Sequence, residues 1–208
     1  MRIAVLGATG RTGRLLVGQA LARGHQVTAL ARDPARLAGL AADGLRPVRA
    51  DVTEPSTVLA AIEGADVVVS ALGLARNQDP RVLTDGAALV AGAGPRLVWL
   101  GSLGLGATRG ALGPLNGALL KRMLRHEWEA KAVADRTVQD SGGTLVHAGP
   151  LTNRPQPGAG VLVPAQDFTP RLIPPTAPRP DLAALLLTEA EHPRFPAATA
   201  IALSNRRP

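Results

Sequence analysis

Short apolar runs alternate with longer stretches of helical periodicity from Arg2 to Gly73, a pattern that predicts βαβ units around a parallel sheet. Ile3 to Leu6 reads as a first strand, and Arg14 to Arg23 as a helix with Leu15, Leu16, Gln19 and Ala20 at helical spacing, closed by Gly24. Gln26 to Ala31 reads as a second strand. Asp33-Pro34 then starts a helix, with Asp33 as its cap and Pro34 at the first helical position, so the pattern gives Asp33 a structural role. Leu45 to Ala50, Pro55 to Glu63 and Asp66 to Ser70 continue as strand, helix and a valine-rich strand of the kind buried on both faces.

The connections lengthen in the second half. Arg81 to Ala91 predicts a helix, Arg96 to Leu100 a strand, and Gly101 to Gly117 a glycine-rich loop. A long helix is expected over Ala118 to Gln139, followed by a strand over Thr144 to Ala148. Prolines crowd Pro150 to Pro180, which excludes a regular helix and leaves room for short edge strands near Val161 to Val163. Asp181 to Glu189 and Ala198 to Leu203 supply a last helix and strand, and the final four residues read as a tail. The expected architecture is α/β, a Rossmann-like doubly wound parallel sheet in a single domain over residues 1–208, with an irregular substrate-side segment at about 150–180.

Composition narrows the chemistry. Among 208 residues there is no cysteine and no tyrosine, and only Trp99, Trp128, Phe168 and Phe195 carry aromatic rings. A disulfide framework, a thiolate metal site, a cysteine nucleophile and a phenolic acid are all excluded. No metal site is expected. The net charge of +7 is almost all arginine, since Lys121 and Lys131 are the only lysines. Scattered arginines without aromatic platforms or a basic reading helix argue against nucleic acid. The one cluster, Lys121, Arg122 and Arg125, reads as a solvated helix face, with a phosphate or substrate contact as the alternative. No apolar run approaches the roughly 20 residues that span a bilayer, and the amino terminus carries no signal-peptide pattern, so a cytoplasmic protein with a small-molecule substrate is expected.

The strongest motif is Gly7-Ala8-Thr9-Gly10-Arg11-Thr12-Gly13, a G-x-x-G-x-x-G between the first strand and the first helix. Glycines there let backbone N–H groups approach a pyrophosphate while the helix turns its positive end toward the anion. Gly7, Thr9, Gly10, Arg11, Thr12 and Gly13 are therefore candidate cofactor contacts, the alternative being that the glycines only allow tight helix packing. The end of the second strand selects the nucleotide: a carboxylate there favours NAD, whereas Arg32 is placed to pair with a 2′-phosphate and favours NADP(H) over NAD(H). Asp33 remains available to a ribose. Asp51 and Val52 follow the third strand and could meet the adenine, or Asp51 could cap its own loop. Ala71, Leu72 and Gly73, after Ser70, are small enough to let the backbone pass beside the nicotinamide ribose.

Taken together, Gly7 to Gly13, Ala31-Arg32-Asp33, Asp51-Val52, Ser70 to Gly73, Gly101-Ser102, and Ser141-Gly142 through Gly149-Pro150 resemble the atypical short-chain dehydrogenase/reductases. The resemblance is to the NAD(P)H-binding, NmrA-like group that includes the biliverdin-IXβ and flavin reductases, and it runs from Met1 to about Glu191. It implies a Rossmann fold holding NADP with the nicotinamide in a shallow pocket, used on flavins, quinones or related planar molecules. The superfamily's catalytic tyrosine and lysine, four positions apart, map onto Glu127 and Lys131. A carboxylate is a poor substitute for a phenol near neutral pH, and the spacing suggests a surface ion pair. Ser102 matches the serine near the nicotinamide, where it would orient substrate or carboxamide, or else satisfy the end of its strand. The histidine of the biliverdin-type enzymes has no counterpart, since Gly149-Pro150 stands in its place; His147 is nearby but is expected to point into the sheet.

Hydride transfer to a flavin or quinone needs no protein acid, because the cofactor carries the chemistry and water can protonate the product. The expectation is an NADPH-dependent reductase with Ser102 and Lys131 as candidate catalytic groups. A non-catalytic NADP-binding regulator is the alternative, and a sugar-nucleotide epimerase or dehydratase is disfavoured by the missing tyrosine.

Overall fold

The computed structural model describes residues 1–75, 78–153, 160–171 and 173–204. The expected four-residue tail lies outside these, as do parts of the proline-rich segment. In chain order the elements are β1 (Arg2–Leu6), α1 (Arg11–Ala22), β2 (Gln26–Ala31), β3 (Leu45–Arg49), α2 (Pro55–Ile62), β4 (Val67–Ser70), α3 (Arg81–Ala91) and β5 (Arg96–Ser102). They continue with α4 (Gly113–Met123), α5 (Trp128–Asp140), β6 (Thr144–Ala148), β7 (Leu151–Thr152), β8 (Val161–Pro164), β9 (Ala177–Pro178), α6 (Arg179–Glu191) and β10 (Thr199–Leu203). Three 3-10 turns, at Pro34–Leu40, Gly106–Leu112 and Ala165–Asp167, fill connections.

Eight strands form one sheet in the order β3-β2-β1-β4-β5-β6-β10-β8, parallel except for β8, which runs antiparallel to β10 at the edge. β7 and β9 make a separate parallel pair. This is the Rossmann-like order, and its direction reverses between β1 and β4, the crevice where open α/β sheets bind ligands.

Alternation along each strand divides the core. Ile3, Val5, Val27 and Ala29 face α1 and α6 through Leu16, Val17, Leu182 and Leu186. Ala4, Leu6, Val68 and Trp99 face α2, α3 and α5 through Val58, Leu83, Val90, Ala134 and Val138. All four residues of β4 are buried, the condition of a central strand covered on both faces.

Asp33 accepts a hydrogen bond from the Ala35 backbone N–H at 3.1 Å, capping the turn that begins at Pro34. The single helix expected over 118–139 is instead two helices, and the loop expected over 101–117 contains a 3-10 turn and the start of α4. Leu124 N–H still bonds to Leu120 O, but Glu127 N–H then bonds to Leu124 O, a tight turn that re-aims the chain. No proline or glycine marks that joint. Packing decides it: α5 buries Ala134 and Val138 in the core, whereas α4 buries no residue and rests on the preceding 3-10 turn.

Candidate functional site

At the carboxyl ends of β1 to β6 lies a cleft of about 580 Å³. Its centre is the glycine turn. Gly7 has φ +79°, and a Cβ on it would stand 2.7 Å from the Ala71 carbonyl oxygen, so glycine lets the turn and the segment that leaves β4 come together. Gly10 begins α1 without a side-chain cap, and the first helical turn holds no acidic residue. The amides there are free to receive an anion.

Thr9, Gly10, Arg11 and Thr12 line the cleft with Gly7, as do Arg32, Asp51, Val52, Ala71, Leu72 and Gly73. Gly13 does not. A Cβ there would lie 2.1 Å from the Gly7 oxygen, so Gly13 sits behind the turn and fixes how closely α1 packs on it. Of the two roles open to the motif's glycines, Gly13 has the packing one.

At the β2–β3 end, Arg32 is joined in the cleft lining by Arg36 from the 3-10 turn that begins at Pro34, a residue the sequence does not single out. Arg14 holds the Arg36 carbonyl, fixing that turn against α1. Asp51 accepts hydrogen bonds from Thr53 N–H at 3.0 Å and Thr53 Oγ at 2.9 Å, and so caps its loop while still facing the cleft. Those bonds from Thr53, more than the nearby Arg32 and Arg49 charges, outweigh partial burial and hold its carboxyl below the usual carboxylate range. An ionised Asp51 therefore stands across from Arg32 at neutral pH.

The opposite end is built from Leu100, Gly101 and Ser102 of β5, Ala148, Gly149 and Leu151 around the end of β6, Glu127 just before α5 and Lys131 within it, and Arg179 at the start of α6. Ser102 pairs with Ala148 in the sheet register, which brings the two strand ends together. The Lys131 Nζ lies 3.4 Å from Glu127 Oε2. This is an i,i+4 pair, but it is no surface pair: both side chains are mostly covered and line the cleft. The break before α5 puts its first turn over the site, and helical spacing then aims Glu127 and Lys131 the same way. Arg179 donates from Nη1 to Asn153 Oδ1 at 2.7 Å and, more weakly, to Leu151 O at 3.4 Å. It sits at the end of a proline-rich stretch that carries no recognisable motif.

Directly behind β5 lies a buried polar cluster. His147 on β6 is fully buried, with Nδ1 2.7 Å from the Thr108 hydroxyl and Nε2 3.1 Å from Asp135 Oδ2. The latter contact has the distance of an ion pair without the alignment of a hydrogen bond. Gly101 makes room for it, since a Cβ there would lie 2.6 Å from the imidazole. The cluster ties α5, which carries Lys131, to the loop after Ser102. His147 is fully buried on its strand, in line with the expectation that it points into the sheet, but its partners lie 12 and 39 positions away and have no signature in the sequence.

Residues 7–193 match the family described as NAD(P)H-binding. The chain belongs to that family. Over 94 residues, 43% of this chain, it is 43% identical to the 3-diazoavenalumate denitrifying reductase of a Streptomyces species, and the match spans 30% of that protein's length. Two solved structures superpose over nearly all of it. The oxidoreductase ylbE of Lactococcus lactis has a TM-score of 0.80 at 17% identity, covering 99% of this chain and 92% of that one. The anaerobillin reductase ChuY of Escherichia coli O157:H7 has a TM-score of 0.79 at 22% identity, covering 100% of both. At such identities the likeness is one of fold. The NAD(P)H-binding family, with a Rossmann-like fold and reductase relatives, agrees with the motif resemblance. Among the described residues no helix is long and apolar enough to cross a membrane.

Proposed function

We propose that this protein is an NADPH-dependent reductase that delivers hydride to a small planar acceptor such as a flavin or quinone. The observation that carries the reading is the polarity of the cleft. One end has two arginines beside a strand terminus, the middle has uncapped helix amides, and the far end pairs small residues with Ser102, Glu127 and Lys131.

The residues fit a dinucleotide. Gly7 lets the turn close against Ala71, and the start of α1, with no side-chain cap at Gly10, offers N–H groups to the pyrophosphate. Arg32 and Arg36 would take the 2′-phosphate, with Asp51 and Val52 beside the adenosine. Ala71, Leu72 and Gly73 would pass beneath the nicotinamide ribose. When bound, the nicotinamide supplies the hydride. Ser102 would orient the carboxamide or the acceptor, and Lys131, steadied by Glu127, would donate a hydrogen bond to a ribose hydroxyl or an acceptor oxygen. The chain has no tyrosine to act as proton donor there, so acceptors whose reduced form takes its proton from water suit the site best.

The choice of NADP over NAD has its own test. Arg32→Ala is expected to lower the NADP/NAD affinity ratio by about tenfold or more, the worth of a charged hydrogen bond. Titration of the variant with both dinucleotides measures it, and an unchanged ratio removes Arg32 from the assignment. A non-catalytic NADP-binding protein would show the same binding, so acceptor-dependent NADPH oxidation separates the two readings.

A further inference from the structure

Arg11 and Arg179 line the same cleft, one from the glycine turn and one from the first residue of α6, and neither is in an ion pair among the described residues. The two carboxylates that line the cleft are already engaged, Asp51 by Thr53 and Glu127 by Lys131. Burial, and then the nearness of Arg11, make the Arg179 guanidinium easier to deprotonate than an exposed one. An acidic ligand would supply the counter-charge that the partly covered Arg179 lacks there.

The geometry points to Arg11 and Arg179 as a subsite for an acidic substituent of the acceptor, a phosphate monoester or a carboxylate carried on the planar molecule. This rests on the reductase reading above. Arg179 is rooted in Leu151 and Asn153, on the segment that leaves β6 beside Gly149 and Ser102, so it belongs to the end where the acceptor would lie. The dinucleotide's own phosphates have other partners in the amides of α1 and in Arg32 and Arg36. A guanidinium held by one nitrogen still has donors free for an oxyanion, and Arg11 brings a second guanidinium to the same cleft. The predicted substrate class is therefore acidic planar acceptors in preference to their neutral counterparts.

FMN and riboflavin share a ring and differ by one phosphate, which makes them the direct probe. With NADPH as donor, the wild-type protein is expected to favour FMN over riboflavin in kcat/KM by about tenfold or more, and Arg179→Gln to remove most of that preference. Arg11→Gln, in an exposed side chain with no structural partner shown, should do the same and keeps the test open if the Arg179 variant folds poorly. Equal use of both flavins by the wild type overturns the subsite. So does a variant that raises the KM for NADPH while the flavin ratio stays put, since that assigns the pair to the cofactor's pyrophosphate. If no acceptor is turned over, the reductase reading fails by itself. Binding of FMN against riboflavin to the NADP⁺-loaded protein then still decides the pair, with equal affinities overturning it.

Discussion

Gly13→Ala is expected to destabilise the protein by about 3 kcal/mol and lower its melting temperature by roughly 6–12 °C, while Gly18→Ala, five residues on in the same helix, is neutral or stabilising by about 0.5–1 kcal/mol. The contrast isolates position from residue type. A Cβ on Gly13 would stand 2.1 Å from the Gly7 carbonyl oxygen, a backbone atom that cannot swing aside, whereas one on Gly18 meets nothing within 4 Å. Accommodating the methyl means lifting α1 off the turn. Dinucleotide affinity should fall with stability, because the same displacement moves the amides that receive the pyrophosphate. Thermal unfolding of the two variants side by side measures this; equal melting temperatures would contradict the packing role.

The second large effect lies behind the site. His147→Leu is expected to cost about 2–5 kcal/mol, because it leaves two buried polar groups, the Asp135 side chain and the Thr108 hydroxyl, without their imidazole neighbour. It also removes the contact from His147 Nδ1 to the Thr108 hydroxyl, which holds the loop that follows Ser102. The double variant His147→Leu/Asp135→Leu should recover most of that loss, since replacing both members of a buried pair with apolar residues is often close to neutral. Chemical denaturation of the wild type, both single variants and the double completes a cycle with a coupling term of several kcal/mol. Additive losses would show that packing alone holds the cluster.

The two halves of the chain differ in how far their structure could be read from sequence. In the first half the information is local. Strand β2 was legible as Gln26 to Ala31 because apolar residues run between the helix-ending Gly24 and the Asp33 cap. The phosphate turn was legible because three glycines at fixed spacing fall between a strand and a helix. β2 pairs with β1 and β3, its neighbours in the chain, so periodicity and punctuation suffice there.

In the second half the decisive facts are non-local. Nothing in Leu124-Arg125-His126-Glu127 forbids a continuous helix; the break exists because α5 is drawn into the core by Ala134 and Val138 while α4 stays outside. That break turns what read as a surface pair, Glu127 with Lys131, into part of the cleft wall. Arg179 could not be found from its surroundings, since its neighbours in the site are Leu151 and Asn153, over 25 positions away. Arg36 was no easier to find: Arg32 follows β2 and Asp33 caps the turn between them in an extended conformation, so no helical repeat links the two arginines that line the cleft.

Whether hydride leaves this cleft for a planar acceptor without a protein phenol is decided by an anaerobic single-turnover experiment. Purified protein is mixed with NADPH and a flavin or quinone, and the absorbance of reduced nicotinamide is followed together with that of the oxidised acceptor. The two signals are expected to decay in step, with one acceptor reduced per NADPH consumed and at a rate well above the protein-free mixture. Tight NADPH binding with no protein-dependent change in either signal, across flavins and quinones, would contradict it and leave a nucleotide-binding protein without this activity.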